Sequence, residues 1–169
     1  LQVFDSLQCG GQIDFTSKLD SANELRVLVD GRMLLRGCSS LVALPDAIGE
    51  LKALTRLDLS WCKSLAALPA AIGELGALRT LDLEGCSSLA ELPAAIGELG
   101  ALTSLSLWKC SSLAALPESI ACLDALTKLN LSACPVLAFP PPQTHDDVER
   151  VKRLLANTTR FLDEGLSAA

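Results

Sequence analysis

The chain has 169 residues, half of them hydrophobic yet only 4% aromatic and none a tyrosine, with a net charge of -6 and a pI near 4.7. That length suits a single domain, and the acidic balance speaks against nucleic acid, whose phosphates draw basic surfaces. No apolar run approaches the roughly 18–20 residues that cross a bilayer. A start at Leu1 without a methionine is expected of a piece trimmed from a longer chain, so the lack of a signal peptide says little about its parent.

In chain order, the first element is a helix expected over residues 17–31. Leu19, Ala22, Leu25 and Leu28 recur at helical spacing, Ser17 and Asp20 are set like a capping box, and Gly31 is a suitable stop. The run DGRMLLRGC follows, with Met33, Leu35 and Cys38 in the slots of a degenerate first strand. From Cys38 to Ala133 the chain then repeats every 24 residues, in four units: CSSLVALPDAIGELKALTRLDLSW, CKSLAALPAAIGELGALRTLDLEG, CSSLAELPAAIGELGALTSLSLWK and CSSLAALPESIACLDALTKLNLSA. A unit this short cannot bury its apolar face alone and must stack on its neighbours.

Within each unit the alternation of Leu57 and Leu59 with Arg56, Asp58 and Ser60 is the period-2 signature of a strand with one buried face. Leu65 and Leu68 turn inward, and Pro69 bends the chain. The segment PAAIGEL is too short for an isolated helix and is expected to make one or two helical turns held by Ile72 and Leu75. Strands on one side and wider turns on the other predict an α/β solenoid with a parallel, concave sheet and short helical turns on the convex side. Pro140, Pro141 and Pro142 halt the stacking, and an amphipathic helix is expected from about Asp146 to Asp163, with Val148, Val151, Leu155 and Leu162 on one face. The organisation is therefore one domain over 1–169: an N-terminal cap with the degenerate strand (1–37), four repeats (38–133), and a proline stop with a C-terminal helix (134–169).

Five of the seven cysteines (Cys38, Cys62, Cys86, Cys110 and Cys134) fall at the repeat period. Being odd in number they cannot all pair among themselves, and a column of reduced, buried thiols suits the cytosol. Cys122 takes the slot of Glu50, Glu74 and Glu98 and is expected to be exposed.

The pattern LxxLxLxxCxxLxxLPxxIGxL resembles the leucine-rich repeat, and the CSSL…LP..IG.L variant is similar to repeats of plant intracellular nucleotide-binding immune receptors. The triple-proline exit is similar to the end of repeat arrays in Roco-family proteins. The resemblance implies that the residue at the Cys62 position caps backbone groups as the chain leaves the strand, a task for which a thiol is a weak donor.

The motifs of catalysis are missing: the sequence holds no GxxxxGK[ST], no GxGxxG, no HExxH, no CxxC pair and only one histidine, His145. No enzyme activity, cofactor or metal is expected. The informative surface is the outward side of the strands, where Arg56, Asp58, Trp61, Arg79, Asp82, Glu84, Trp108 and Lys109 break the uniformity of the repeat. Trp and Arg are enriched at binding hot spots, and both tryptophans fall here. These eight are the candidate partner-binding residues. The reading is a non-catalytic protein-recognition module that binds a protein or peptide on its concave sheet, with no nucleic-acid or membrane partner, in a cytoplasmic receptor or regulatory GTPase of innate immunity or signalling. An alternative is the substrate-recognition part of an enzyme, such as a bacterial effector ubiquitin ligase, with the chemistry outside this chain. Residue layering is testable at once: Leu81→Ala, mid-array, should lower folding stability by about 2–5 kcal/mol, whereas Arg79→Ala should stay within about 0.5 kcal/mol of the parent. Denaturant melts of the two variants decide it, and equal effects would break the layering.

Overall fold

A computed structural model describes residues 31–137 and 147–166, with side chains in the second stretch as far as 157. The expected N-terminal helix, the triple proline and His145 lie outside the described residues. Five three-residue strands, β1 (Arg32–Leu34), β2 (Arg56–Asp58), β3 (Thr80–Asp82), β4 (Ser104–Ser106) and β5 (Lys128–Asn130), form one parallel sheet in sequence order. Met33 pairs with Leu57, Leu57 with Leu81, Leu81 with Leu105 and Leu105 with Leu129. Each partner lies one repeat further on, so the sequence period becomes the step from coil to coil.

Each strand is three residues long with its middle residue buried, joined in β2 by Asp58, but backbone pairing continues past them. Leu59 N–H donates to Asp82 O (2.8 Å) and Trp61 N–H to Glu84 O (2.6 Å), and the same pair of bonds recurs between the other coils. Between these bonds the chain turns: Cys62 N–H donates back to Leu59 O (3.1 Å), and the equivalent bonds hold at Cys38, Cys86 and Cys110.

On the opposite side the expected helical turns are 3-10 turns, at Asp46–Glu50, Ala70–Glu74, Ala94–Glu98 and Glu118–Cys122. A proline precedes each, with φ between -66° and -72°, and its carbonyl accepts the N–H of the isoleucine three residues on. That three-residue closure, in a segment this short, winds the tighter helix. Successive turns press together through Gly73: a Cβ there would lie 2.5 Å from the carbonyl oxygen of Ala95. In the last turn this slot holds Ala121, which has no further coil to meet and packs instead at the edge of the core.

Between sheet and turns the leucine and isoleucine columns are sealed from solvent, from Leu54 through Leu131. The cysteine column is sealed with them, and among the described residues no disulfide forms. From Cys62 on, each Sγ donates to a carbonyl of the coil before it: Cys62 to Leu35 O (3.1 Å), Cys86 to Leu59 O (3.2 Å), Cys110 to Leu83 O (3.2 Å) and Cys134 to Leu107 O (3.1 Å). The thiol therefore does cap backbone, as the resemblance implied, and it does so across the coil boundary. Cys122 is exposed on the outside of the last turn.

The chain ends on α1 (Val148–Leu166). It starts two residues later than expected because Asp147 is the cap, its Oδ1 accepting Arg150 N–H at 2.9 Å. Val151 and Leu155 are buried in the core and Val148 packs against it, so the apolar stripe of α1 covers the open end of the leucine columns next to the last 3-10 turn.

Burial disfavours the thiolate and raises the Cys110 thiol from its ordinary 9.0 to about 12, with smaller contributions from its neighbour Cys134; burial likewise pushes up Cys86 and Cys134. A thiol whose pKa is higher in the fold than in the unfolded chain contributes stability fully present below the unfolded value and lost as the pH climbs through the folded one. The thiols' contribution to folding stability should therefore be constant up to about pH 9 and fall steadily toward about 12, as denaturant melts in that range would show. An unchanged midpoint across that range would contradict the ladder of protonated thiols.

Candidate functional site

Strand exit is where this solenoid departs from economy of backbone. The third residue of each exit turn has a positive φ: Gly37 (73°), Trp61 (64°), Gly85 (70°), Lys109 (59°) and Ala133 (59°). That is the position of a β-turn that favours glycine, and a side chain there is disfavoured by about 1–2 kcal/mol. Two coils use glycine; two others carry Trp61 and Lys109.

The reason Trp61 fits lies one coil further on. Its indole lies over Gly85, where a Cβ would come within 2.8 Å of Trp61 Cε3. By crossing that gap the ring reaches Trp108 on the coil beyond, edge to face, with centroids 6.2 Å apart and planes at 78°. The Lys109 ammonium lies 4.0 Å from the centroid of Trp108 and 5.8 Å from that of Trp61, within cation–π reach of both. Both indoles are half-buried and Lys109 is exposed. The cluster thus bridges three coils along one edge of the sheet. Sequence columns alone bring out the two tryptophans but not Gly85, because what makes it matter is the ring of a residue 24 positions earlier.

The charged candidates divide. Arg79 is exposed at strand entry, in a column otherwise held by Thr55, Thr103 and Thr127, each of whose hydroxyls donates to a carbonyl one coil back. Arginine gives up that bond and puts a guanidinium at the surface. Asp82 and Glu84 are half-buried, and Asp82 Oδ1 accepts Glu84 N–H at 3.1 Å. Asp58, expected to be available on the surface, is only 8% exposed. Its Oδ1 is taken by Ser60 N–H (3.0 Å) and Ser60 Oγ (2.6 Å), and Oδ2 faces the Arg56 guanidinium at 3.8 Å. It folds back on its own turn and serves the strand exit. The structure thus brings Trp61, Trp108 and Lys109 together, sets Asp82 and Glu84 on the coil between them, and places Arg79 at the other end of the strands. It also shows an open cleft beside β5 that the sequence did not single out.

The role of Gly85 is measurable. Gly37→Ala adds only the strain of a positive φ, with nothing within 4 Å of the new Cβ, about 1–2 kcal/mol. Gly85→Ala adds the same strain and a collision with the Trp61 ring, so it should be the more destabilising and should alone shift tryptophan emission. Equal melts and identical spectra for the two variants would refute the stacking.

A family model for a leucine-rich repeat region matches residues 1–132. No curated protein matches the chain significantly. Among solved structures, a leucine-rich-repeat protein of Leptospira interrogans is 38% identical across 55% of this chain and 23% of its own, with a TM-score of 0.52. The leucine-rich-repeat domain of the type III effector XopL is also 38% identical, over 52% of this chain and 30% of its own, at 0.49. The BIR3–SERK2 complex from Arabidopsis thaliana is 31% identical over 53% and 48%, at 0.42. The chain thus spans well under two thirds of the length of each of these structures. With the family model covering most of the sequence and the coils stacked into a single parallel sheet, the protein belongs to the leucine-rich-repeat family of interaction modules.

Proposed function

We propose that this module grips a protein or peptide on the concave, sheet side of the solenoid, without chemistry of its own. The observation that carries this reading is the Trp61–Trp108–Lys109 cluster, built on a backbone position where glycine would be easier. A half-exposed aromatic ring on a strained backbone, as at Trp61, is a poor way to stabilise a fold and a good way to present a contact, and such outliers concentrate at binding sites. The pair supplies a rigid apolar anchor, Lys109 a cation beside it, and Arg79, Asp82 and Glu84 the charges that set the partner's register. Arg56, held by Asp58, borders the same surface.

The thiol ladder supports a reducing compartment, since buried protonated thiols are used here as donors and not as cross-links. The cytoplasm is accordingly its proposed location. The repeat variant supports a place in a larger intracellular receptor or regulatory GTPase, with immune signalling the context it suggests. The net charge of -6 favours protein over nucleic-acid or anionic membrane partners.

Peptides selected from a random displayed library on the unaltered chain provide the test. Trp61→Gly restores the residue type of Gly37 and Gly85, so its folding stability should move by less than about 1 kcal/mol. Its affinity for the selected peptides, and that of Trp108→Ala, should fall by roughly thirtyfold or more, the loss expected of a hot-spot residue. Undiminished binding by both folded variants would remove the tryptophans from the site.

A further inference from the structure

We propose that the cleft between β4, β5 and the start of α1 is a carboxylate-binding subsite, one that receives an acidic side chain or a chain terminus of the peptide partner. It is an open cleft of about 520 Å³. Ser104 and Ser106 of β4, Lys128 and Asn130 of β5 and Ser132 line its floor, and Val148 stands at its wall. The strand residues are those on either side of the buried Leu105 and Leu129, so their side chains share the outward face of the sheet.

Comparison between coils gives the chemistry. The column that holds Asp58 in β2 and Asp82 in β3 holds Ser106 in β4 and Asn130 in β5. Both carboxylates have been replaced by neutral groups that can donate. Asn130 still performs the turn-binding task, its Oδ1 accepting Ser132 N–H at 3.0 Å, which turns its NH₂ away from the backbone. Ser106 does not perform that task, and among the described residues its hydroxyl makes no hydrogen bond. Lys128, in the column that holds Arg32 and Arg56 in β1 and β2 and Thr80 and Ser104 in β3 and β4, brings the one formal charge of the lining among the described residues. It is exposed and makes no ion pair among the described residues. The carboxylates at the start of α1 are engaged elsewhere: Asp147 caps the helix, and Glu149 lies 3.6 Å from Lys152. A hydroxyl, an amide NH₂ and an ammonium, with no acid among the described lining residues, suit one singly charged carboxylate.

The peptide nature of the ligand rests on the recognition reading above, and the sheet then sets its register. Asp82 and Asn130 lie two strand spacings apart, ~9.6 Å, or about three residues of extended chain. A partner crossing the strands would place a basic group near Asp82 and Glu84 and its carboxylate about three positions along, ending against Val148.

The test uses short peptides that bear little besides the group in question. Acetyl-Gly-Gly-Glu-amide offers a side-chain carboxylate, acetyl-Gly-Gly-Gly with a free acid end offers a terminal one, and acetyl-Gly-Gly-Gln-amide offers neither. Titrated at millimolar concentration into isotope-labelled protein, one or both acids should shift the backbone amide signals of Ser104, Ser106, Lys128 and Asn130, and the stronger of the two identifies the source. Lys128→Gln should weaken that binding about tenfold and Lys128→Arg should retain it, in line with the loss of one charge-assisted hydrogen bond. The proposal is overturned if the neutral peptide shifts the same signals equally, if Lys128→Gln changes nothing, or if the shifts fall elsewhere or fail to occur. Binding of library peptides through Trp61 would survive any of those results, so the two readings fail separately.

Discussion

The whole structure depends on one constraint: equivalent residues of successive coils must stay in hydrogen-bonding register. A single carbonyl shows how tightly this is held. Leu59 O accepts Cys62 N–H from its own coil, closing the exit turn, and Cys86 Sγ from the next, joining the coils. The same double use recurs at Leu35, Leu83 and Leu107. Asparagine in this position could offer a stronger donor, but a thiol fills an apolar slot without leaving a second polar atom to satisfy, and an unsatisfied buried polar atom is the more damaging fault. Weak bonds repeated in a dry column are enough when leucine burial on both sides already holds the spacing.

Register has a functional consequence. When every coil places the same residue number at the same point, a surface site is written by the exceptions to the repeat. Some exceptions are costly to the fold. Trp61 accepts a left-handed backbone where two other coils use glycine, and Arg79 forfeits a hydroxyl bond that three threonines make. Trp61 gains in exchange its edge-to-face contact with Trp108 at the surface. Asp58 is the opposite case: an exception in charge that turns inward, pairs with Ser60 and Arg56, and is buried. Charge alone therefore does not mark the site; departure at a backbone or bonding disadvantage is the sharper criterion.

Much of the fold was legible because it depends on counting. The leucine slots, the cysteine column, the first strand around Met33 and the buried stripe of Val151 and Leu155 all follow from periodicity, and the coordinates place each of them as the spacing requires. The 3-10 character of the return turns was not legible, since it depends on how a proline carbonyl closes a five-residue segment. The tryptophan bridge was visible only as two residues on one side of the sheet. Their contact needs the missing Cβ of Gly85, a relation between coils and not within one. The burial of Asp58 escaped for a like reason: strand alternation says which way a side chain leaves the sheet, but not whether it then folds back on the following turn.

The end of the array shows how one geometric need can create another feature. A coil with a successor must keep its return turn bare, as Gly73 does beneath Ala95. The last coil has no such neighbour, and Ala121 replaces glycine there while α1 covers the exposed leucines with Val151 and Leu155. A straight helix cannot follow the curve of a coil, however. It meets the core along one stripe, and its first turn, at Val148, stands over the outward face of β4 and β5 without filling the space between. The cleft is thus a by-product of capping a curved stack with a straight rod. Its chemistry has a separate origin: nothing in the capping requires Ser106 where β2 and β3 hold aspartate, or the return of a basic residue at Lys128 after Thr80 and Ser104 in a column that begins with Arg32 and Arg56. Geometry explains why there is room at this end of the sheet, and the donors that line it are the groups the proposed carboxylate would meet.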